Sequence, residues 1–360
     1  MASNLDEFVK SLIHLVFGVS CFVFCIAYVT LYQFVRILNT KHQTQNTKHS
    51  RQQFALMKKK MIPKILAASI SAITILLASG LPLTAKTAED QLGREIRVPD
   101  DPKRVIALAP SITEIIFALG QQDRLKGITQ FSNYPAEAAQ LPKVGSYVRL
   151  DLERIVALNP DLCIAIKDGN PKAVIDRLQS LNIPVFAVNP RNLESLLQTI
   201  QRIGGILNAS AKAKTLVEDM QRRMQQVDDL VARIDRRPRV FIQIGIFPII
   251  SAGSNTFIDE LIDRAGGINV AAGNNAYPHF SREQVLALAP DVLIVTTMAR
   301  SGAFEKAKAD WNRLSQMPAV RKNRIYMVNS DLFDRPSPRL FDALEILTRI
   351  LHPQLFEDGS

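Results

Sequence analysis

D-L-E-R-I-V-A-L-N-P-D at residues 151–161 and S-R-E-Q-V-L-A-L-A-P-D at residues 281–291 are one motif written twice, 130 positions apart. Each copy opens on Asp151 or Ser281, a residue type whose side-chain oxygen can accept from the free amides of a first helical turn. A glutamate follows two places later, Glu153 and Glu283. Apolar residues then recur at helical spacing until Pro160 or Pro290 forbids the helix to continue. An apolar run comes next, 162–166 in one copy and 292–296 in the other, and each reads as a buried parallel strand. A helix feeding a parallel strand, twice, predicts two similar α/β lobes with a cleft between them.

The 360 residues allow this. Setting aside the first eighty or so as targeting sequence leaves about 270, enough for two domains of ordinary size. The net charge of +10 invites a nucleic-acid reading, but residues 1–64 hold nine Lys or Arg against two acids and so carry +7 of it. The remainder is nearly neutral, with basic and acidic residues interleaved, and nucleic acid is set aside as a partner.

Met57-Lys58-Lys59-Lys60 and Lys64, an apolar run over 65–78, then small residues near Ala85 follow the order of a secretory signal peptide, assigned to 57–85 with cleavage after Ala85. Export to the periplasm is expected, as a free product, since no cysteine near the cleavage region could carry a lipid anchor. Upstream, residues 15–32 are uncharged and just long enough to span a bilayer. Residues 1–56 are therefore either an extra transmembrane segment that would tether the lobes outside as a ligand-sensing domain, or an extension of the reading frame with Met57 as the true start; the second is preferred. Cys163 is the one cysteine after the signal segment, inside a predicted strand, and reads as a small buried hydrophobe.

Alternating strand and helix patterns predict an α/β fold: two Rossmann-like lobes with mostly parallel central sheets, 86–207 and 237–360, joined by one long α-helix within 208–236. Ser210 is the expected cap of that helix. Its apolar positions Ala213, Val217, Met220, Met224, Val227, Val231 and Ile234 form one stripe. Running from 211 to about 234, it would be about 36 Å long, enough to lie across both lobes.

Nothing in the chain reads as catalytic. There is no G-x-G-x-x-G, phosphate-binding loop, G-x-S-x-G elbow, H-E-x-x-H or C-x-x-C. His279 and His352, the histidines beyond the signal segment, are too few for a histidine-rich zinc site, and His352 is expected in solvent. No metal site and no catalytic cofactor are predicted. An exported two-lobed protein with a cleft and no catalytic constellation reads as a binding protein, not an enzyme.

From about Arg104 to Leu351 the chain resembles the periplasmic substrate-binding proteins of ABC importers, in the class with a rigid interlobe helix (class III), and most of all their cobalamin-binding member. The resemblance rests on the two repeats, on R-V-F-I-Q-I-G at 239–245, A-G-G-I-N-V at 265–270 and S-D-L-F-D-R-P-S-P-R at 330–339. It implies a monomeric receptor that holds cobalamin or a related corrinoid between its lobes and hands it to an ABC permease and, through it, to the ATPase. Haem or a ferric siderophore is the alternative ligand, with Tyr134, Tyr147 or Tyr277 offering a phenolate or a stacking face. By position, the resemblance makes Tyr134, Tyr147, Phe247 and Phe333 ligand contacts, with Asp331 and Arg335 bonding the amide edge. It makes Glu153 and Glu283 the pair that meets arginines of the two permease subunits. Plainer readings stand beside these: Tyr134 as a turn aromatic, Phe247 as lobe core, Asp331 and Arg335 as partners of each other, the two glutamates as favourable charges in a first helical turn. Ile166 departs from the pattern, standing where the cobalamin-binding member carries a tryptophan, and leaves the ligand open.

Overall fold

The computed structural model describes residues 85–273, 275–297 and 303–356. The apolar stretch at 15–32 and the signal segment up to residue 84 lie outside these residues. The expected cleavage point falls at the first residue of a strand, where Ala85 pairs with Pro99.

The first lobe runs β1 (Ala85–Glu89), β2 (Glu95–Pro99), β3 (Val105–Ala107), α1 (Pro110–Ala118), β4 (Leu125–Ile128), β5 (Gly145–Ser146), β6 (Arg149–Leu150), α2 (Leu152–Ala157), β7 (Leu162–Ile166), α3 (Lys172–Ser180), β8 (Val185–Val188) and α4 (Leu193–Ile206). Its four-stranded sheet has the order β4-β3-β7-β8, parallel throughout. Helices cover both faces, so β3 is buried along its whole length and reads as an unbroken apolar run rather than an alternation.

α5 (Ser210–Val231) leads into the second lobe: β9 (Arg239–Gly245), β10 (Ile249–Ser251), α6 (Phe257–Arg264), β11 (Ile268–Asn269), β12 (His279–Phe280), α7 (Arg282–Ala287), β13 (Val292–Thr297), α8 (Ala303–Asn312), α9 (Pro318–Arg321), β14 (Ile325–Asn329), α10 (Ser330–Phe333) and α11 (Leu340–Leu351). Here β11, β9, β13 and β14 are mutually parallel, and β10 and β12 add antiparallel strands at the other edge. The mostly parallel α/β architecture expected from the repeats is the one observed.

The repeats superpose in their chemistry as well as their pattern. Asp151 accepts from the Arg154 amide at 3.1 Å, and Ser281 from the Gln284 amide at 3.2 Å. α2 and α7 then end in a left-handed residue, Asn159 at φ 46° and Ala289 at φ 45°, just before the proline. The aspartate that follows turns back onto the first sheet strand of its own lobe. Asp161 accepts from the Lys103 and Arg104 amides at 2.7 and 2.9 Å, and Asp291 from the Arg239 amide at 3.2 Å. Arg104 and Arg239 return the contact by donating to the last helical carbonyls, those of Leu158 and Leu288. Alanine pays a steric penalty in the left-handed region that asparagine largely escapes. Ala289→Asn should therefore stabilise the protein by about 1 kcal/mol, read as a higher urea midpoint at unchanged slope.

At 22 residues α5 is about 33 Å long. It packs on α4 of the first lobe, where Gly204 lies so close to Ala213 that an added Cβ would sit 2.5 Å from the alanine methyl. Towards its other end Arg223 pairs with Asp342 and Glu345 of α11, and Asp228 with Arg264 of α6. One continuous apolar cluster runs from Val105 and Ile164 through Val217 and Met220 to Leu261 and Leu344. The lobes thus share a core rather than merely touching. Ser210 does not cap α5: it is the first helical residue, and Ala209 holds the cap position without a side-chain bond. His352, expected in solvent, is 1 % exposed with its Nε2 3.2 Å from the Gly266 carbonyl, because the turn after α11 folds back over that loop.

Candidate functional site

A cleft of about 430 Å³ opens between the lobes, lined by loops that follow the strands, the usual ligand position in open α/β sheets. On the first lobe, a buried hydroxyl cluster anchors the loop after β4. Ser132 lies 2.9 Å from Thr129 Oγ1 and 3.1 Å from Thr113 Oγ1, which fixes Phe131 at the cleft wall.

Tyr147 and Val148 are the two turn residues of the β5–β6 hairpin and also line the cleft. The hairpin is held to the Phe131 loop by the Gln130 amide, which donates to Gly145 O at 2.7 Å. Gly145 sits at φ 91°, where an added Cβ would lie 2.8 Å from the Asp151 nitrogen, so only glycine closes this turn.

The loop after β7 completes the wall with Ile166, Asp168 and Gly169. Asn170 ties the whole assembly together. Its Nδ2 donates to Leu108 O and Tyr147 O, both at 2.8 Å, while its Oδ1 accepts from the Ile166 amide at 2.8 Å. The Tyr147 ring rests on Gly169, where a Cβ would come within 2.7 Å of Cδ2.

From the second lobe come Ile244, Phe257, Tyr277, Asp331, Asp334 and Arg335. Partial burial, for Tyr277 is 49 % exposed, followed by the charges of Asp168 and Asp334, holds its phenol above the ordinary value, with Arg191 opposing. It is a neutral phenol at physiological pH, suited to stacking and to donating one hydrogen bond. Ionising it to hold an iron would cost more than at a fully solvated tyrosine.

Below the cleft lies a clasp between the lobes. Glu114, 3 % exposed on α1, receives Arg335 Nη1 at 3.1 Å, Ser337 Oγ at 2.6 Å, and both Nε and Nη2 of Arg339 at 2.9 and 2.8 Å. Arg335 also donates to Asn133 Oδ1 at 2.8 Å, to Phe131 O at 3.0 Å and to Asp331. Asn133 returns a bond to the other Asp331 oxygen at 2.6 Å. Two arginines against two acids leave the cluster neutral, and every carboxylate oxygen in it is bonded, the condition under which buried charges are tolerated.

Tyr147, Asp331 and Arg335 are thus brought together at the cleft, with the last two paired as their spacing of four allowed. Three other expected contacts fall elsewhere. Tyr134 does not line the cleft, and one face of its ring is covered by the Arg339 guanidinium, 3.8 Å from the centroid. Phe247 is 75 % exposed in the β9–β10 turn, outside the lining. Phe333 is 1 % exposed, because it faces inward from α10 into the shared core, and it cannot touch a ligand. Phe131, Phe257, Asp334 and Glu114 were not read from the sequence as site residues. Glu153 and Glu283 stand exposed in the first turns of α2 and α7, the matched helices of the two repeats.

The model of the family described as periplasmic binding protein matches residues 105–332, from β3 into α10. The chain belongs to that family. It is 34 % identical over 245 residues to the vitamin B12-binding protein of Vibrio parahaemolyticus, covering 67 % of this chain and 86 % of the relative. The solved periplasmic vitamin B12-binding protein of Vibrio cholerae aligns with a TM-score of 0.62 and 28 % identity, over 72 % of this chain and all of that one. A periplasmic haem-binding protein from Roseiflexus sp. RS-1 aligns with a TM-score of 0.64 and 29 % identity, over 70 % of this chain and 99 % of its own. As a periplasmic binding protein the chain is a substrate receptor of an ABC importer: it takes a small molecule and partners a permease.

Proposed function

We propose that this receptor captures cobalamin or a related corrinoid in the interlobe cleft, outside the cytoplasm, and delivers it as a monomer to the permease and ATPase of an ABC importer. The observation that carries the reading is the composition of the cleft, taken with the vitamin B12-binding relatives. Phe131, Tyr147, Phe257 and Tyr277 offer broad, stiff apolar surface, which a large macrocycle can cover at little rotor cost. Asp168 and Asp334 bring polar groups for the amide edge. Asp331 and Arg335 sit at the same margin, though their bonds to the clasp leave them fewer groups to offer. Glu153 and Glu283 are the proposed docking pair, one carboxylate from each lobe for a two-fold partner.

Calorimetric titration with cyanocobalamin tests this: saturation at one ligand per chain supports it, while folded protein that gives no heat rejects it. Haem is the second reading, favoured by the haem-binding structural neighbours and the two phenols in the cleft, with a ferric siderophore beside it. A Soret band that shifts on adding protein to haem would move the ligand there.

The positioning of Tyr147 gives a sharper check. Gly169→Ala adds a Cβ into the tyrosine ring, at a φ of 130° that alanine also resists. Cyanocobalamin affinity is expected to drop about tenfold with little change in stoichiometry, comparable to losing one good aromatic contact.

A further inference from the structure

Among the described residues the clasp leaves the carboxyl group of Asp334 without a paired cation. Asp334 ends α10 and lines the cleft beside Asp331 and Arg335. Arg335 is its neighbour in sequence, yet that guanidinium donates away from it, to Glu114, Asn133, Phe131 and Asp331. Among the described residues the one hydrogen-bond partner of the Asp334 side chain is the Thr296 hydroxyl, 2.9 Å from both carboxyl oxygens. A hydroxyl has a single proton and can satisfy one of those oxygens at a time. As a carboxylate the half-buried group would hold its charge with a single hydrogen-bond donor; as a carboxylic acid it is neutral and keeps its O–H free for a ligand.

The groups around it do not change that balance. On its own segment Asp331 opposes ionisation and Arg335 favours it. β13 presents Thr296 alone, and the loop before β12 presents Tyr277, itself surrounded by Asp168, Arg191 and Tyr147.

From this arrangement we infer that Asp334 enters binding as a neutral acid and offers its O–H to an acceptor on the ligand, such as a peripheral amide carbonyl. Capture is then proton-linked. The inference rests on the corrinoid reading for the identity of the acceptor, not for the state of the acid. Burial supports that state: it pushes the carboxyl up to about 7, against the Thr296 bond and the Arg335 charge.

The sign follows. Below pH 7 the acid already carries its proton and the affinity is at its plateau. Above pH 7 the protein must take up a proton to bind, and affinity falls up to tenfold per pH unit. Cyanocobalamin titrations of the wild type and Asp334→Asn between pH 5.5 and 8.5 read this directly. The expected result is a Kd rising about tenfold from pH 7.5 to 8.5 in the wild type and flat in the variant, whose amide is neutral at every pH. A wild-type profile that is level, or a slope that survives in the variant, overturns the inference.

Should cyanocobalamin bind neither protein at any pH, the corrinoid reading fails, and the acid is judged without a ligand. The unfolded chain ionises this residue near 3.8, so the folded state loses stability as pH climbs from 4 to 7, and the variant is relieved of that loss. A melting temperature gained by Asp334→Asn that is larger at pH 8 than at pH 4.5 supports the neutral acid. Equal gains at both overturn it.

Discussion

Glu114→Ala should lower the melting temperature by about 10 °C. The substitution leaves Arg335, 9 % exposed, and the partly buried Arg339 without the carboxylate that receives both, and it strands the Ser337 hydroxyl. Removing one partner of a buried ion pair typically costs about 3–5 kcal/mol. In a chain of this size each kcal/mol moves the midpoint by about 2–4 °C. Scanning calorimetry of the variant checks the figure. A shift below about 3 °C would mean that water reaches the arginines once the carboxylate is gone, and that the clasp is not the sealed cluster described. Glu114→Gln keeps the shape and two hydrogen-bonding groups, and should fall between the two.

The second large effect concerns transport rather than stability. Reversing both docking carboxylates, Glu153→Arg with Glu283→Arg, is expected to abolish ligand uptake in cells whose growth depends on it, while purified protein binds ligand as before. Both side chains are exposed and far from the clasp in sequence, so folding has no reason to suffer. The Ser281 hydroxyl, followed by the backbone amide of its own residue, holds Glu283 below the ordinary carboxylate range, so it stays charged at any pH where the receptor works. Each single reversal should impair uptake in part, since one lobe would still engage. Uptake at the wild-type rate in the double variant would return the pair to the plainer role of first-turn charges.

The elements most legible in the sequence were those specified by local chemistry. Caps, a terminating proline and an apolar run are read within a dozen residues, which is why the two repeats disclosed the α/β pattern. The interlobe helix begins at Ser210, one residue before the start that periodicity placed at 211. The hairpin that carries Tyr147 leaves no pattern in the sequence, because each of its strands is two residues long and no alternation can show at that length. The clasp was less visible still. Glu114 lies between Thr113 and Ile115 on a helix face buried in apolar company, and its partner Arg335 is 221 positions away. A charged residue inside an apolar helical run is the only local hint, and it does not say what answers the charge. Tyr134 came from the resemblance, by position, and nothing in the sequence marks Phe131, three residues earlier, as the aromatic that lines the cleft. Which of two aromatics three residues apart faces a cleft is decided by the hydroxyl cluster beneath them, and that involves Thr113 from another element.

Two bodies joined by a single strut can swing; joined at two separate places, they retain at most one axis of rotation. Here α5 is one attachment and the Glu114 cluster is the other, so the receptor is expected to behave less like a closing hand than like a calliper with its jaws locked. A locked gauge discriminates by thickness. Selection among macrocycles would then reside in the distance between the walls as much as in any one residue on them.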